Sequence, residues 1–480
     1  MRGCPIKNPI QFGTDGWRGV IARDFTFENV RYCAQGLADY LSQAGLGERG
    51  VVIGYDNRFE SEDFAAETAG VLAANGIKSR LCARAAPTPV VSFGALSLKA
   101  GGGVVITASH NQAVYNGFKI KTGTGSSAPD EMTRMVEDKI NQAAAAGQVR
   151  SISRDEAVKR GLLEDIDLTP AYFAQLNRLV NIDSLRQAGV RVIADPMYGA
   201  GAGYLKELLA GGRTEVIEIN SERNPLFPGM ERPEPIAVNL GRLAAAVEAR
   251  RANVGLATDG DADRMGIMDE KGNFLTQLQV FALLCLYLLE VRGERGPIVK
   301  TLTTTSMAYR LGELFNVPVY ETAVGFKYVA PAMAAHNALI GGEESGGYGF
   351  RGHVLERDGI LANLYFLDFM VRTGKRPSEL LEYLYSKVGP HHYERQDILF
   401  PADRRAEIIN NVKRSRPDVI MGVRVDRLDT TDGFRFILAD NSWLLIRFSG
   451  TEPVLRVYAE TGSRERAQQL IDFGRNLAGV

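Results

Sequence analysis

The chain has 480 residues, 45% of them hydrophobic and 24% charged, with a formal net charge of −1. That is the composition of an ordinary soluble globular protein, and its near-neutral balance argues against a bulk nucleic-acid or membrane-surface role, which needs a basic excess. Small anionic ligands stay open because a few local basic residues can hold them, and the length suits about three domains of roughly 150 residues or four smaller ones.

In chain order, the start Met1-Arg2-Gly3-Cys4-Pro5 carries no apolar signal region. Val51–Asp56 reads as a buried strand, followed by an amphipathic helix over Ser61–Asn75 that Gly76 stops. Gly101–Gly103 let the chain turn into a second buried strand, Val104–Ile106, which breaks into Thr107-Ala108-Ser109-His110-Asn111-Gln112 and runs on to Lys119. Ala143–Ala146 suit the end of a helix. The strand-then-helix pattern recurs at Val190–Asp195 with Tyr204–Leu209, and strands return at Val254–Asp259 and Pro297–Lys300.

This alternation predicts α/β units with mostly parallel sheets. Leu278–Leu289 is the most apolar stretch; it is too short to span a bilayer, contains Gln279, and reads as a buried helix. Chain breaks fall near Gly147–Asp165, Asp269–Gln277 and Val388–Gln396. Beyond the last, residues 397–460 carry shorter strands and turn signals before a closing helix over Ser463–Leu477, the texture of a smaller α+β domain. Cys4, Cys33, Cys82 and Cys285 lie far apart with no Cys-x-x-Cys pair, which fits buried free thiols in a reducing compartment. The expected location is the cytoplasm.

Polar residues gather just past strand ends: Asp56-Asn57-Arg58, Ser109-His110-Asn111, Asp195, Asp259–Arg264 and Glu343-Glu344-Ser345. Open α/β sheets bind ligands outside the carboxyl ends of their strands, so several domains can face one shared cleft. Ser109, delivered at the end of a buried strand, is placed to react; the bland alternative is a polar turn. His110 is a poor base for it, because neighbours on an extended strand point opposite ways, and no Gly-x-Ser-x-Gly elbow surrounds it.

Asp259, Asp261 and Asp263 stand two residues apart in a loop of small residues. Three carboxylates so close repel unless a cation neutralises them, and all-oxygen ligation favours Mg²⁺ or Ca²⁺. With Glu270 they match part of an EF-hand loop, but Arg264 takes the obligatory glycine's place and the flanks alternate like strands. A catalytic divalent-metal loop accounts for them better than a solvated acidic turn, and Arg264 adds a partner for an anion or for the carboxylates.

Ile340–Gly349 is a strand end opening into a glycine-rich loop whose Glu343 and Glu344 can accept bonds from sugar hydroxyls; it lacks the ending of a nucleotide P-loop. Arg447, Ser449, Gly450 and Thr451 form a phosphate cradle or, more plainly, a capped turn. Taken together, a serine, a divalent metal, a phosphate cradle and a polyol loop point to phosphoryl transfer on a sugar.

These residues resemble the α-D-phosphohexomutases, the phosphoglucomutase/phosphomannomutase superfamily, over nearly the full length. Thr107–Asn111 looks like the phosphoserine motif, Asp259–Arg264 the metal loop, Gly342–Gly346 the sugar loop and Arg447–Pro453 the phosphate loop. Phe12-Gly13-Thr14-Asp15-Gly16-Trp17-Arg18-Gly19 is similar to the N-terminal signature, with Arg18 facing the cleft.

The resemblance implies four domains around a central cleft: α/β mixed-sheet domains over residues 1–160, 161–272 and 273–388, and a smaller C-terminal α+β domain over 389–480. It implies a phosphorylated Ser109 that donates to a hexose phosphate, a hexose 1,6-bisphosphate that reorients and also serves as activator, and Mg²⁺ held by Ser109, Asp259, Asp261 and Asp263. The catalytic set would be Ser109, Lys119, His353, Arg18 and Arg264, with Lys119 and His353 as acid/base candidates. The substrate set would be Lys327, Glu343, Ser345, Arg447, Ser449, Gly450 and Thr451.

Two positions depart from the pattern: Gln112 where proline is usual, and Gly347 where some members carry histidine. Val324-Gly325-Phe326-Lys327 resembles the phosphoglucomutase loop, which points to glucose phosphate, with mannose phosphate acceptance or dual specificity as the alternative. A metal-dependent sugar phosphatase and a non-catalytic sugar-phosphate sensor are further alternatives. The expected partners are small hexose phosphates, without nucleic acid or membrane, for a monomer or homodimer.

Overall fold

A computed structural model describes residues 10–13, 15–448 and 454–480. The first unit is built on six strands: β1 (Trp17–Val20), β2 (Val51–Tyr55), β3 (Ser79–Cys82), β4 (Gly102–Ile106), β5 (Tyr115–Thr122) and β6 (Leu163–Ile166), in the spatial order β1-β5-β4-β2-β3-β6. β4, β2, β3 and β6 run parallel, while β5 is antiparallel to β4 and β1 to β5. The second unit holds β7 (Arg191–Asp195), β8 (Glu215–Glu218), β9 (Val254–Thr258), β10 (Met265–Met268) and β11 (Phe274–Leu275), in the order β11-β10-β9-β7-β8. The third holds β12 (Ile298–Thr301), β13 (Val319–Thr322), β14 (Ile340–Gly342) and β15 (Tyr348–Phe350) in the order β13-β12-β14-β15.

The fourth unit is a wholly antiparallel sheet of β16 (His392–Leu399), β17 (Val419–Ile420), β18 (Val423–Asp429), β19 (Phe434–Leu438), β20 (Trp443–Phe448) and β21 (Val454–Thr461). The helix Arg464–Ala478 closes it, capped at its start by the Ser463 hydroxyl. Three mixed α/β units and a smaller α+β unit are thus the architecture.

Two edge strands fall beyond the bounds of 160 and 272 that the resemblance implies. β6 pairs in parallel with β3, so the first unit runs past residue 160 to Ile166. β11 pairs with β10, so the second unit extends past 272 to Leu275. Short strands at a sheet edge carry little hydrophobic pattern, and only their pairing reveals which sheet owns them.

The apolar core runs without a break through the first three units, joining Val90 and Val91 of the first, Leu256 and Ile267 of the second, and Phe281 and Ile340 of the third. The buried helix expected over Leu278–Leu289 is present as Gln277–Leu286, with a Thr276–Gln279 capping box, and passes into one wider turn over Tyr287–Val291. The helix Gly359–Thr373 follows the third sheet in sequence yet packs on the second, where Asn363 donates to the Ala257 carbonyl. The fourth unit has its own core around Ile408, Leu455 and Leu470, and meets the third through Leu302, Trp443, Leu445 and Tyr458.

Among the described residues no helix is long and apolar enough to cross a membrane. Cys33, Cys82 and Cys285 are free and buried.

The expected role of the glycine triplet changes. Gly102 and Gly103 already lie in β4, and a Cβ on Gly101 would stand 2.3 Å from the Leu46 carbonyl oxygen, so close packing rather than turning demands glycine there.

Candidate active site

β4 delivers Ser109 just past its end, in a left-handed conformation with φ +52°. A non-glycine residue there is costly by about 1–2 kcal/mol unless its surroundings hold it. They do. The Ser109 N–H donates to the Thr107 hydroxyl at 2.8 Å, and the Thr107 hydroxyl donates in turn to Asp56. On the other side, the Ser109 carbonyl accepts from the buried Arg58 guanidinium at 2.7 Å.

The left-handed turn also corrects the expectation for His110. It departs from the extended backbone on which neighbouring side chains diverge, so His110 Nδ1 lies 3.4 Å from Ser109 Oγ. His110 remains a weak base for another reason. Burial first, then the cations Arg264, Arg18, Arg232 and Lys119, hold its protonation well below the ordinary histidine range.

β9 ends at Thr258, and the loop that follows brings the three aspartates together. Ala262, at φ +56°, curls it, and the Asp259 carboxylate accepts the N–H groups of Asp263 and Arg264 at 3.0 and 3.1 Å. One oxygen from each of Asp259, Asp261 and Asp263 falls within 4.8 Å of the others, all three residues being buried. Ser109 Oγ donates to Asp259 Oδ2 at 2.8 Å, which joins the two strand ends. Glycine makes that approach feasible: a Cβ on Gly260 would sit 2.4 Å from the Ser109 carbonyl oxygen.

Oδ1 of Asp261 and Oδ1 of Asp263 are buried and take no hydrogen bond. Buried carboxylate oxygens without donors are unfavourable unless a cation meets them. Three carboxylates and one hydroxyl form an all-oxygen set of the kind that suits a hard divalent cation, Mg²⁺ or Ca²⁺. Burial, reinforced by Asp263 and Asp261, pushes the Asp259 carboxyl well above the usual range. Burial acts the same way on Asp261, but there the Lys119 ammonium outweighs it and holds the carboxyl down.

Lys119 projects from β5, with Nζ 2.7 Å from Asp15, 2.8 Å from Asp261 and 3.2 Å from Asp263. Burial alone would discharge it; the surrounding carboxylates prevail and raise its pKa, so it stands as an ammonium. Arg18, on β1, donates to Asn111 Oδ1 at 2.6 Å and so braces the serine loop. Arg264 contacts Glu234 at 3.3 Å and leaves its buried Nε without a hydrogen bond.

The sugar loop is a hairpin between β14 and β15, with Gly346 at φ +89°. Its Glu343 lies 3.4 Å from Arg357, and burial raises the Glu343 carboxyl. Ser345 Oγ is buried without a partner. Glu344 does not join them; it accepts from Tyr393 at 2.9 Å and pairs with Arg395 at 3.0 Å on the fourth unit. Lys327 pairs with Asp130 at 2.5 Å across to the first unit. Arg447 pairs with Asp432 at 3.0 Å, while Ser449, Gly450 and Thr451 lie outside the described residues.

His353 is placed differently from the expectation. Its fully buried side chain pairs with Asp358 at 2.9 Å and stacks on Phe93 with ring centroids 5.8 Å apart, so it presents no exposed face to a substrate. Phe93 and Tyr172 from neighbouring units wall it in.

Arg357 was invisible as a functional residue. It reaches Asp15, Asp263 at 2.8 Å, Glu343 and Glu356, tying the metal loop and the sugar loop to the first unit. Lys121 completes this network against Glu356 at 2.6 Å. The charged run Glu356-Arg357-Asp358 between apolar neighbours was the available signal, since buried charges must be paired.

The family profile "Phosphoglucomutase/phosphomannomutase" matches in four parts: alpha/beta/alpha domain I over residues 9–146, domain II over 170–272, domain III over 277–388 and the C-terminal domain over 407–476. A phosphoglucomutase/phosphomannomutase of Thermococcus kodakarensis is 30% identical over 466 residues, 97% of this chain and 98% of the relative. A phosphoglucosamine mutase of Thermobifida fusca is 30% identical over 472 residues, 96% of each chain. A solved structure from Thermus thermophilus, of a protein assigned as a phosphomannomutase, superposes with a TM-score of 0.85 at 35% identity, covering 98% of this chain and all of that one.

Proposed function

The chain belongs to the phosphoglucomutase/phosphomannomutase family of isomerase-class phosphotransferases, and from that premise we propose that it interconverts hexose 1-phosphate and hexose 6-phosphate, with glucose as the sugar, through phospho-Ser109. The observation that carries this is the 2.8 Å contact of Ser109 Oγ with Asp259 beside two buried carboxylate oxygens that lack donors.

Asp259, Asp261, Asp263 and Ser109 would hold Mg²⁺. When bound, it would offset phosphoryl charge and leave phosphorus open to in-line attack. The chain's own residues do the rest. The bond from phosphorus to Ser109 Oγ breaks as one forms to a sugar hydroxyl. The Lys119 ammonium gives a proton to the departing Oγ, and the amine left behind takes the proton of the attacking hydroxyl. The resulting hexose 1,6-bisphosphate reorients and returns its other phosphate to Ser109, which restores the carrier; the same compound serves as activator. Glu343 and Ser345 would hold sugar hydroxyls, Lys327 and Arg447 with Ser449, Gly450 and Thr451 the distal phosphate, and Arg18 and Arg264 the reacting one. The setting we assign is the cytoplasm, where three buried thiols stay reduced.

Glucose rests on the Val324–Lys327 loop, whose Gly325 at φ +132° opens the helix that carries Lys327. Relatives named for mannose and glucosamine phosphates make the sugar the point to test. A coupled assay on the 1-phosphates of glucose, mannose and glucosamine, primed with glucose 1,6-bisphosphate and Mg²⁺, should give the highest kcat/KM for glucose. Preference for glucosamine would overturn the sugar assignment, and release of inorganic phosphate without isomerised sugar would overturn the mutase.

A further inference from the structure

The turn after β2, Asp56-Asn57-Arg58, has no place in the chemistry above, yet it touches both loops that make the site. Arg58 is wholly buried and spends its guanidinium on one segment. Nη1 donates to the carbonyls of Gln112 and Tyr115 at 2.9 and 3.0 Å, and Nη2 to those of Ser109 and Asn111 at 2.7 and 2.5 Å. Its charge is balanced by Asp56 at 3.2 Å, and the Phe227 ring of the second unit covers it at 4.9 Å. Asp56 reaches the same serine from the other side, through Thr107 to the Ser109 N–H.

Asn57, between them, turns the opposite way. Its amide donates to the carbonyls of Tyr198 and Gly199 at 3.0 and 2.9 Å. That second-unit segment backs the metal loop, because the Ala200 N–H donates to the Gly260 carbonyl at 2.9 Å and a Cβ on Gly199 would stand 2.6 Å from the same oxygen.

We propose that Asp56-Asn57-Arg58 is a positioning clamp that sets the separation of the nucleophile from the metal loop, Arg58 fixing the carbonyls around Ser109 while Asn57 fixes the support of Gly260. Arginine is the side chain that can do this: its planar fork serves several acceptors in one plane, whereas a lysine ammonium is a compact point charge. The geometry at stake is small, since a displacement of about 1 Å at a reacting atom can lower a rate by roughly 100-fold.

This inference rests on Ser109 as the phosphoryl carrier, and the experiment separates the two. Wild type, Arg58→Lys and Asn57→Ala are each incubated with glucose 1,6-bisphosphate and Mg²⁺, and the rate of Ser109 phosphorylation is followed by intact-protein mass. Mg²⁺ affinity is measured by calorimetry, and folding by circular dichroism. The clamp predicts folded variants whose phosphorylation rate and kcat fall by roughly 100-fold for Arg58→Lys and roughly tenfold for Asn57→Ala, with KM within about threefold and weaker Mg²⁺ binding for Asn57→Ala. If Arg58→Lys does not fold, Asn57→Ala, which leaves the buried ion pair intact, decides alone. A folded Asn57→Ala protein with wild-type phosphorylation rate and Mg²⁺ affinity overturns the clamp. A wild type that takes up no phosphoryl group overturns the carrier instead.

Discussion

Ser109 Oγ donates a hydrogen bond to Asp259 Oδ2 at 2.8 Å, although the two residues are 150 positions apart and follow strands of different sheets. The contact puts a nucleophile held in a left-handed turn against a carboxyl that burial, reinforced by Asp263 and Asp261, pushes well above the usual range. A cation that draws on Asp259, Asp261 and Asp263 would relieve that repulsion at the oxygen where phosphoryl transfer takes place.

Ser109→Ala should abolish turnover while leaving the fold intact. Alanine carries the same Cβ into φ +52°, so the backbone strain is unchanged and only the hydroxyl's bonds are lost. The melting temperature should move by a few degrees at most. Residual turnover by pure variant protein would remove Ser109 from the chemistry.

Chelation of divalent metal should stop turnover, and Mg²⁺ should restore it. Because the ion binds the folded chain, it should also raise stability by about 2.7 kcal/mol at a hundredfold excess over its dissociation constant. Asp261→Asn and Asp263→Asn should shrink this thermal shift. An unchanged shift in both variants would place the ion elsewhere.

Gly260→Ala tests the approach of the two loops. The added Cβ would stand 2.4 Å from the Ser109 carbonyl oxygen, so the loops must part. Turnover should fall by about 100-fold, with a smaller effect on melting. Activity within twofold of wild type would show that the loops accommodate a methyl group without shifting the serine.

Acid should loosen the fourth unit through Glu321. This carboxylate meets Arg435 on β19 and Lys300 at 2.7 Å on β12. Burial opposes its ionisation, but Lys300 and Arg435 prevail and bring its pKa from 4.5 down to about 2. A carboxyl lowered by folding stabilises fully above its unfolded value and ceases to as pH falls through the folded one. The contribution, roughly 3 kcal/mol by linkage, should therefore disappear between about pH 4.5 and 2. Trp443, buried in the seam between the third and fourth units, reports the change by fluorescence. Glu321→Gln should lower stability at neutral pH and flatten that acid transition; an acid profile identical to wild type would contradict the assignment.

Much of this architecture was legible because hydrophobic period and strand ends carry it. The helix expected over Ser61–Asn75 is Ser61–Ala74, and that over Tyr204–Leu209 has those bounds. Asp259, Asp261 and Asp263 were legible as a metal loop because carboxylates spaced so closely repel one another unless a cation neutralises them, and the fold does bring them together. What sequence could not carry was backbone sign and long-range pairing. The positive φ of Ser109 brings His110 toward it instead of away, and Arg357 meets Asp15 across 342 positions of chain. His353 looked catalytic from its neighbours in sequence, whereas its neighbours in space, Asp358, Phe93 and Tyr172, enclose it.

The central claim is that Ser109 carries the phosphoryl group between sugar positions. It is tested most directly by incubating the protein with glucose 1,6-bisphosphate labelled in its phosphates, then mapping the label by peptide mass spectrometry and chasing with unlabelled glucose 1-phosphate. The account predicts one labelled phosphoryl group on Ser109 that passes to glucose phosphate during the chase. Label on any other residue, or turnover with Ser109 never phosphorylated, would contradict it.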